Sequence, residues 1–248
     1  DDVESRGLGD VYKRQYLDSG NEARIKKAYE SRDPRLQMAV ITPYAQYNGA
    51  SSGIAHTYTL RWPYRGSDSA EPFDIRTDTN DKFYYLWRKF VPEGLEQTER
   101  DTYGLDIPLI RYAEVLLLKA EALNEWGSTH ESEAIRCVNE VRRRAGHVEL
   151  NNATYPATKV NGQSDLRERI RNEYYWEIGG EDSMYFHELR WGTWKDKKFD
   201  NNRNGLMQMW GETTYTWYWL GDQCWSWPIP AKEMEMNSNL EQNEGWIN

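Results

Sequence analysis

The chain has 248 residues, which is enough for one large domain or two small ones. Its 40 acidic residues outnumber its 31 basic residues, and the formal net charge of −9 argues against a nucleic acid as the main partner, because nucleic-acid-binding proteins concentrate positive charge. No apolar run approaches the roughly 20 residues that a helix needs to span a bilayer.

Aromatic residues supply much of the apolar content. The chain contains 12 Trp, 17 Tyr and 5 Phe among its 38% hydrophobic residues. Each buried ring removes a large area from water, so we expect most of these rings to lie in the core. Flat Tyr and Trp rings at a surface also form platforms on which sugars and other ring-shaped ligands stack.

The cysteine and histidine residues predict neither a metal site nor a cofactor. Cys137 and Cys224 are far apart in the sequence and match no metal-binding or redox spacing, so we expect two free thiols. The four histidines are scattered and form no HExxH or comparable cluster.

The first 91 residues predict a helix, a loop and a strand. Residues 20–35 read as a short helix that Asp33–Pro34 ends, since the residue before a proline is disfavoured in the α conformation. Residues 36–66 begin with the β-prone run QMAVI and continue with Gly, Ser, Pro and Asn between aromatic residues, which predicts a loop that carries aromatic side chains. The run FYYLWRKFV at 83–91 predicts a strand.

Residues 109–146 predict two antiparallel helices joined by a short turn. Apolar residues recur at three- and four-residue steps in 109–127 and again in 131–146, and a glycine follows each helix. The pair is typical of one tetratricopeptide-like hairpin, which cannot bury its second face alone. The residues predicted to face the core are Leu109, Tyr112, Ala113, Leu116, Leu117, Ala120, Leu123 and Trp126, then Ala134, Ile135, Val138, Val141 and Ala145.

A third helix is predicted from Ser164–Asp165 onward. Along it, Glu173, Glu177 and Glu181 have helical spacing, which predicts a solvated face. We therefore expect a mainly α protein in which the helical hairpin is joined to a loop-rich C-terminal subdomain with short strands. The apolar face of the third helix is predicted to contain Leu166, Ile170, Tyr174 and Ile178.

Four motifs follow one another along the chain: IRYAEVLLLKAEALNE at 110–125, AIRCVNEVRRRAG at 134–146, LRWG at 189–192 and PIPAKEMEMNSNLEQNEGW at 228–246. Their order resembles the C-terminal half of the SusD/RagB proteins, over residues 18–248. Two positions depart from the family pattern, since Met184 replaces an arginine and His187 an aspartate. We interpret the shared Arg, Glu and Asn residues as structural groups that tie helix ends and loops together. The matching residues are Arg111, Tyr112, Ala113, Glu114, Glu121 and Ala122; Asn139, Val141, Arg142, Arg144, Ala145 and Gly146; and Arg190, Trp191, Pro228, Ile229, Pro230, Asn239, Leu240, Gln242, Asn243 and Gly245.

This resemblance implies a function at the cell surface. SusD/RagB proteins are lipoproteins of Bacteroidota outer membranes that bind glycans, or sometimes peptides, without catalysis. They form a lid on a TonB-dependent transporter of the SusC type and deliver the ligand to it. The resemblance therefore implies an oligo- or polysaccharide ligand, a SusC-like transporter as partner, and an extracellular position held by a lipid anchor on the N-terminal half of the family fold.

Residues 1–15 are predicted to be foreign to the protein. The run DVYKRQ at 10–15 is the translation of the transposase end sequence used to build sequencing libraries. We therefore expect 1–15 to be chimeric and 16–248 to be the C-terminal portion of a single SusD/RagB-like domain, whose N-terminal half would carry the signal peptide and lipidated cysteine. Expressed alone, 16–248 is expected to be poorly soluble, because one face of its hairpin has no partner helices.

The predicted ligand site lies in the aromatic segment at 36–66. A sugar-binding site needs flat rings that stack on the apolar face of a pyranose, with amide or guanidinium groups that meet the hydroxyls. The alternative interpretation is that this segment packs on the N-terminal half. The candidate ligand-binding residues are Tyr44, Tyr47, Trp62 and Tyr64, with Asn48 and Arg61 as polar partners.

Two other functions remain open at this point. A glycoside hydrolase would use two carboxylates across a Trp-lined cleft, and Glu173, Glu177, Glu181 and Asp182 are close in sequence. A protein-interaction scaffold would instead use the helical hairpin and would bind peptides or proteins rather than glycans. A hydrolysis assay separates the first from a binding protein, and the kind of partner separates the second.

Overall fold

A computed structural model describes residues 27, 29–30, 32–51, 53–61, 74–76, 86–94, 104, 106–181, 183–198, 219 and 221–246. The chain divides into two compact units, one up to Met184 and one from Tyr185 onward. Helices predominate over short strands in the described residues, which confirms the mainly α class. No helix among these residues is both long enough and apolar enough to cross a membrane.

The first unit begins with a small sheet region, which we call the strand layer. Two of its strands form an antiparallel hairpin, and a third strand pairs parallel with the second strand of that hairpin. The two remaining strands pair with each other, antiparallel. The elements of the strand layer are α1 (Pro34–Ala39), β1 (Val40–Ile41), β2 (Gln46–Ser51), β3 (Ile54–Arg61), β4 (Asp74–Arg76) and β5 (Leu86–Trp87), with β1 paired to β5 and β2, β3 and β4 side by side.

The hairpin of β2 and β3 shows that the loop predicted within residues 36–66 is wrong at 46–51 and 54–61. Along β2, Tyr47 is buried whereas Gln46 and Asn48 are exposed, which is the two-residue period of a half-buried strand. Gly53 has a φ of +76° in the tight turn between the strands, a conformation that glycine adopts without strain. Glycine and aromatic residues here therefore belong to strands and their turn.

Helix α1 and strand β5 also differ from the sequence prediction. Residues 27, 29 and 30 are helical and residues 32 and 33 are not, which agrees with a helix that ends before Pro34. A further, unpredicted helix begins at Pro34, because Asp33 accepts a hydrogen bond from the backbone N–H of Arg35 at 2.9 Å and a proline at the first helical position needs no partner for an N–H. Only the last two residues of QMAVI are extended. Strand β5 is shorter than the strand predicted at 83–91, since a turn at Lys89–Phe90 follows it.

Three helices, which we call the helical layer, form the larger core of the first unit and confirm the predicted helices. Helix α2 (Tyr112–Trp126) packs on both α3 (Glu131–Arg144) and α4 (Gln163–Ile178). Leu109 and Trp126 were expected to be buried but are 89% and 75% exposed, as is Tyr112 at 69%. The buried apolar residues of the three helices are Ala113, Leu116, Leu117, Ala120, Leu123, Ala134, Ile135, Cys137, Val138, Val141, Leu166, Ile170, Tyr174 and Ile178.

The second unit contains short helices joined by side-chain to backbone hydrogen bonds. Gln242 donates to and accepts from the backbone of Ile229, at 2.9 and 2.7 Å, and Asn243 donates to the Trp227 carbonyl at 2.6 Å. These contacts give the closing motif the structural role that the sequence predicts. The helices are α5 (Ser183–Arg190), most of which lies in this unit, α6 (Trp194–Lys198) and α7 (Ala231–Met236).

Candidate functional site

The candidate ligand site is built on the hairpin of the strand layer. Asn48 lies opposite Thr57, and the Thr57 hydroxyl donates to the Asn48 side-chain oxygen at 3.2 Å on the exposed face. Tyr47 lies opposite Tyr58 on the other face. The hairpin therefore separates a polar, exposed face from an aromatic, inward face.

Tyr44 is placed beside the end of β3 by two backbone hydrogen bonds. Its N–H donates to the Leu60 carbonyl at 2.7 Å, and the Leu60 N–H donates to the Ala45 carbonyl at 3.0 Å. Tyr44 has a φ of +62°, a left-handed conformation that is uncommon for a bulky residue. The turn thus places a half-buried tyrosine next to the strand position that precedes Arg61.

The structure brings four of the six predicted residues together in this layer. Tyr47 is 4% exposed and belongs to the core with Ile41 and Leu60, so its ring supports the sheet from below. Asn48 is exposed. Arg61 ends β3, where its backbone lies opposite Arg76 of β4. Trp62 and Tyr64 lie outside the described residues.

A segment that the sequence did not suggest for the site, residues 88–93, supports it from one side. The Tyr47 hydroxyl donates to the Pro92 carbonyl at 2.8 Å, and Glu93 accepts from the Asn48 backbone N–H at 3.1 Å. Arg88 donates to the carbonyls of Gln37 and Gln46 and pairs with Glu93 at 2.7 Å. The only sequence signal for this role is the Arg88–Lys89 pair at the end of the predicted strand.

The carboxylates of α4 lie at a different place, and the solvated face predicted for them is wrong. Glu173 and Glu177 are 0% and 4% exposed. Arg35 donates to Glu173 at 2.7 Å and to Glu177 at 3.2 Å, while Arg142 donates to Glu173 at 3.0 Å. Arg111 donates to Glu177 at 2.9 Å. The buried charges are therefore paired, as a folded protein requires of them.

Glu181 extends this ion-pair network beyond the end of α4. It pairs with Lys89 and with Arg111, whose Nη2 lies 2.6 Å from a Glu181 oxygen. The Lys89 ammonium also donates to the carbonyls of Glu177 at 3.0 Å and Gly179 at 3.2 Å. These contacts give Arg111, a residue of the first family motif, the structural role predicted for it.

The network favours the ionised state of two of its carboxyl groups, Glu177 and Asp33. Burial alone would raise the pKa of Glu177, but the hydrogen bond from Arg111 and the charges of Arg144 and Arg111 outweigh burial and lower it below its ordinary value. Burial opposes the ionised form of Asp33 in the same way, and the hydrogen bonds from Arg35 outweigh it and lower the pKa.

This electrostatic arrangement argues against the hydrolase interpretation. A glycosidase needs one carboxyl group whose pKa is raised, so that it can act as a general acid. Glu177 has a lowered pKa, and Glu173 and Glu181 are paired with arginine and lysine side chains. Among the residues described by the structure, no group of three His, Cys, Asp or Glu side chains is placed to hold a metal ion.

Comparison with known proteins identifies the class to which this fold belongs. A profile of the SusD family matches residues 7–246. The chain therefore belongs to the SusD family, which confirms the resemblance found in its motifs. The matched region begins inside residues 1–15, whose chimeric origin stays a prediction.

Relatives and solved structures agree with this assignment. SusD-like protein P38 of Formosa agariphila is 32% identical over 139 residues, which are 56% of this chain and 24% of that protein. The starch-binding protein SusD of Bacteroides thetaiotaomicron is 28% identical over 161 residues, or 64% of this chain and 25% of that protein. The chain spans about a quarter of the length of these relatives.

The solved structures show the fold. A SusD-like protein of Bacteroides fragilis has a TM-score of 0.56 at 22% identity, covering 88% of this chain and 39% of that one. A SusD homologue of Bacteroides thetaiotaomicron has a TM-score of 0.54 at 22% identity, covering 86% of this chain and 41% of that one.

Proposed function

We propose that this chain is part of a non-catalytic glycan-binding protein of the cell surface. Its membership of the SusD family, over residues 7–246, is the observation that carries the proposal. A relative named for starch binding supports a carbohydrate ligand and makes starch the first polysaccharide to test. The ion-paired carboxylates of α4 favour binding over hydrolysis.

The exposed side of the strand layer is the proposed ligand site. Asn48 offers an amide at the surface, and Tyr44 lies beside the end of β3. Arg61, Trp62 and Tyr64 follow directly in the chain and supply a guanidinium group and two further rings. Such rings bind a pyranose through its apolar face, while amide and guanidinium groups donate to its hydroxyls.

Binding to polysaccharide tests this site directly. The purified chain is run through native gels with and without soluble starch, and the loss of mobility gives an apparent affinity. We expect Trp62→Ala to weaken retention by about tenfold or more, which corresponds to about 1.4 kcal/mol. Trp126→Ala is the matched control, because that ring is 75% exposed on the helical layer.

Two results would contradict the proposal. One is that both tryptophan variants weaken retention equally, which would mean that the rings bind sugars without a specific site. The other is that the unsubstituted chain is not retained by starch or by any other polysaccharide in a panel that includes β-glucans and mannans.

We also propose delivery to a SusC-like TonB-dependent transporter at the outer membrane, with a lipid anchor on the full-length protein. A long-read sequence of the source locus is the decisive measurement. A TonB-dependent receptor gene beside this one, and an upstream reading frame with a lipidated cysteine, are the expected result. A locus with no receptor gene, or one in which residues 1–15 are native, would contradict the transport role or the chimeric origin, respectively.

Protein recognition by the helical layer is a second candidate function. The exposed apolar residues Leu109, Ile110 and Trp126, at 89%, 72% and 75% exposure, favour it. It predicts that the chain binds a protein partner and that this binding is indifferent to glycans. Capture of the partner in the presence and absence of saturating starch separates the two functions.

A further inference from the structure

The strand layer and the helical layer have separate apolar cores. The core of the strand layer consists of Ile41, Tyr47 and Leu60, with Ala45, Tyr58 and Leu86 packed against it. The buried apolar residues around the helical layer come from its three helices and from the segment between α3 and α4, which contributes Leu150 and Val160. Something other than a shared core must therefore join the layer that carries the proposed ligand site to its scaffold.

Arg35 makes the first of these connections. It lies in α1, directly before β1, and its guanidinium reaches Glu173 at 2.7 Å and Glu177 at 3.2 Å on α4. Asp33 holds the same guanidinium through two oxygens, at 3.0 and 2.6 Å, which fixes its orientation. The start of the strand layer is thus bound to α4 by charge.

Lys89 makes the second connection, at the end of β5, which pairs with the start of β1. It follows β5 and reaches across to Glu181 and to the two carbonyls at the end of α4, as described above. The ring of Trp87 lies against Gly180, where a Cβ atom would meet it at 2.8 Å. The Lys89 ammonium, with its three oxygen partners, and the Trp87 ring therefore hold β5 against the turn that ends α4.

The two connections are linked to the proposed ligand site through short backbone paths. The N–H groups of Arg88 and Lys89 donate to the Ala39 carbonyl at 2.9 and 3.1 Å, so the end of α1 and the end of β5 move together. Tyr44 lies three residues after β1, and Glu93, four residues after Lys89, holds the backbone of Asn48. These paths connect the positions of α1 and β5 to the positions of Tyr44 and Asn48.

We propose that Arg35 and Lys89 are positioning residues for the glycan site, holding the strand layer on the helical layer through ion pairs with Glu173, Glu177 and Glu181. The proposal rests on the proposed glycan-binding function. In this proposal the ion pairs determine the positions of the side chains that contact the ligand. Neither cation has to contact the ligand itself.

Hydrogen exchange together with starch affinity tests this role. Lys89→Met removes the charge and keeps most of the stem, while Lys89→Arg keeps the charge. We expect Lys89→Met to speed amide exchange in residues 40–61 by about tenfold or more and to weaken starch retention, with exchange in 112–126 unchanged. Lys89→Arg is expected to leave the amide exchange of 40–61 and the starch retention close to those of the unsubstituted chain. Lys119→Met is the control, because the Lys119–Glu133 pair is 48% and 43% exposed within the helical layer.

The outcomes separate this inference from the function on which it rests. If Lys89→Met leaves exchange in 40–61 unchanged, or speeds it equally in 112–126, the residue does not position the strand layer and the proposal is overturned. If exchange in 40–61 rises while starch retention stays constant, the ion pairs hold the strand layer but do not affect ligand binding. That result also overturns the proposal. If no polysaccharide retains the unsubstituted chain, the proposed glycan-binding function is wrong, and the positioning role for a glycan site is overturned with it. The exchange data would then show only whether the ion pairs hold the strand layer on the helical layer. Arg35→Met with Arg35→Lys repeats the experiment at the connection made by α1.

Discussion

The helical layer and the strand layer achieve order by different means. In α2, α3 and α4, aliphatic side chains recur with the helical period and bury themselves against each other. In the strand layer the apolar core is small, and charged and backbone groups from residues distant in sequence complete it. A chain poor in aliphatic residues thus concentrates them in its helical layer and uses polar contacts to orient the strand layer, which carries the proposed ligand site.

The largest effect is expected from Glu173→Ala, which breaks the connection between the layers at its most buried point. The substitution leaves the Arg142 guanidinium, 6% exposed, without its carboxylate partner and removes one partner of Arg35. We expect the free energy of unfolding in urea to fall by about 3 to 5 kcal/mol. Glu168→Ala on the same helix is the control, with an expected loss below about 1 kcal/mol, since its side chain is 58% exposed. Equal losses in the two variants would show that the buried network adds no stability.

Leu117→Ala and Leu60→Ala test whether the two cores are independent. Both side chains are 0% exposed, so each variant leaves a cavity, and a loss of about 2 to 5 kcal/mol is expected for Leu117→Ala. We expect Leu117→Ala to lower the global unfolding free energy and Leu60→Ala to raise hydrogen exchange chiefly in residues 40–61. Leu118→Ala, at 40% exposure, is the control. A rise in exchange throughout the helical layer of Leu60→Ala would mean that one cooperative core spans both layers.

A smaller effect is expected from Gly180→Ala, at the contact of β5 with the end of α4. Gly180 has a φ of +81°, and an added Cβ would meet the Trp87 ring at 2.8 Å. Gly146→Ala carries similar backbone strain at φ +71°, with nothing within 4 Å of the added atom. We expect Gly180→Ala to lose about 1 kcal/mol more than Gly146→Ala in urea unfolding, because the ring must move. Equal losses would show that the Trp87 contact does not help to seat the strand layer.

The smallest effect near neutral pH is expected from titration of the network. The pKa values of Asp33 and Glu177 are lowered in the folded state, so their stabilisation is complete above the ordinary values of 3.8 and 4.5 and is lost as the pH falls through the folded values. We expect the unfolding free energy to change little between pH 7 and 5 and to fall steeply below about pH 4.5. Glu177→Gln is expected to flatten that fall, as followed by circular dichroism in urea. An unchanged slope would show that Glu177 is not linked to folding.

The differences between the predicted and the observed elements have a common physical basis. Leu166, Ile170, Tyr174 and Ile178 were found from sequence because helical periodicity is local and is seen within a single element. The hairpin was missed because its glycines and serines indicate a loop, while its register depends on pairing such as Asn48 with Thr57. Strand pairing is a property of two segments, which a pattern within one segment does not display.

The carboxylates of α4 show the same limit at the level of side chains. Spacing along one helix predicts which residues share a face, but it does not say whether that face meets water or another element. Glu173 and Glu177 share a face as predicted, and that face is buried because Arg35, Arg111 and Arg142 arrive there from three other parts of the chain. A carboxylate without a partner is more stable in water than in a protein interior, but the paired arginine side chains allow Glu173 and Glu177 to be buried.

The sequence by itself determined the family and the three long helices, because these depend on local period and on the order of short motifs. The tertiary structure decided that residues 46–61 form a hairpin, that Tyr47 supports it from the core, and that Lys89 and Arg35 seat it on α4. The hairpin depends on the pairing of two segments, and its seating on α4 depends on contacts between residues from 88 to 142 positions apart in the chain, which only folding brings together.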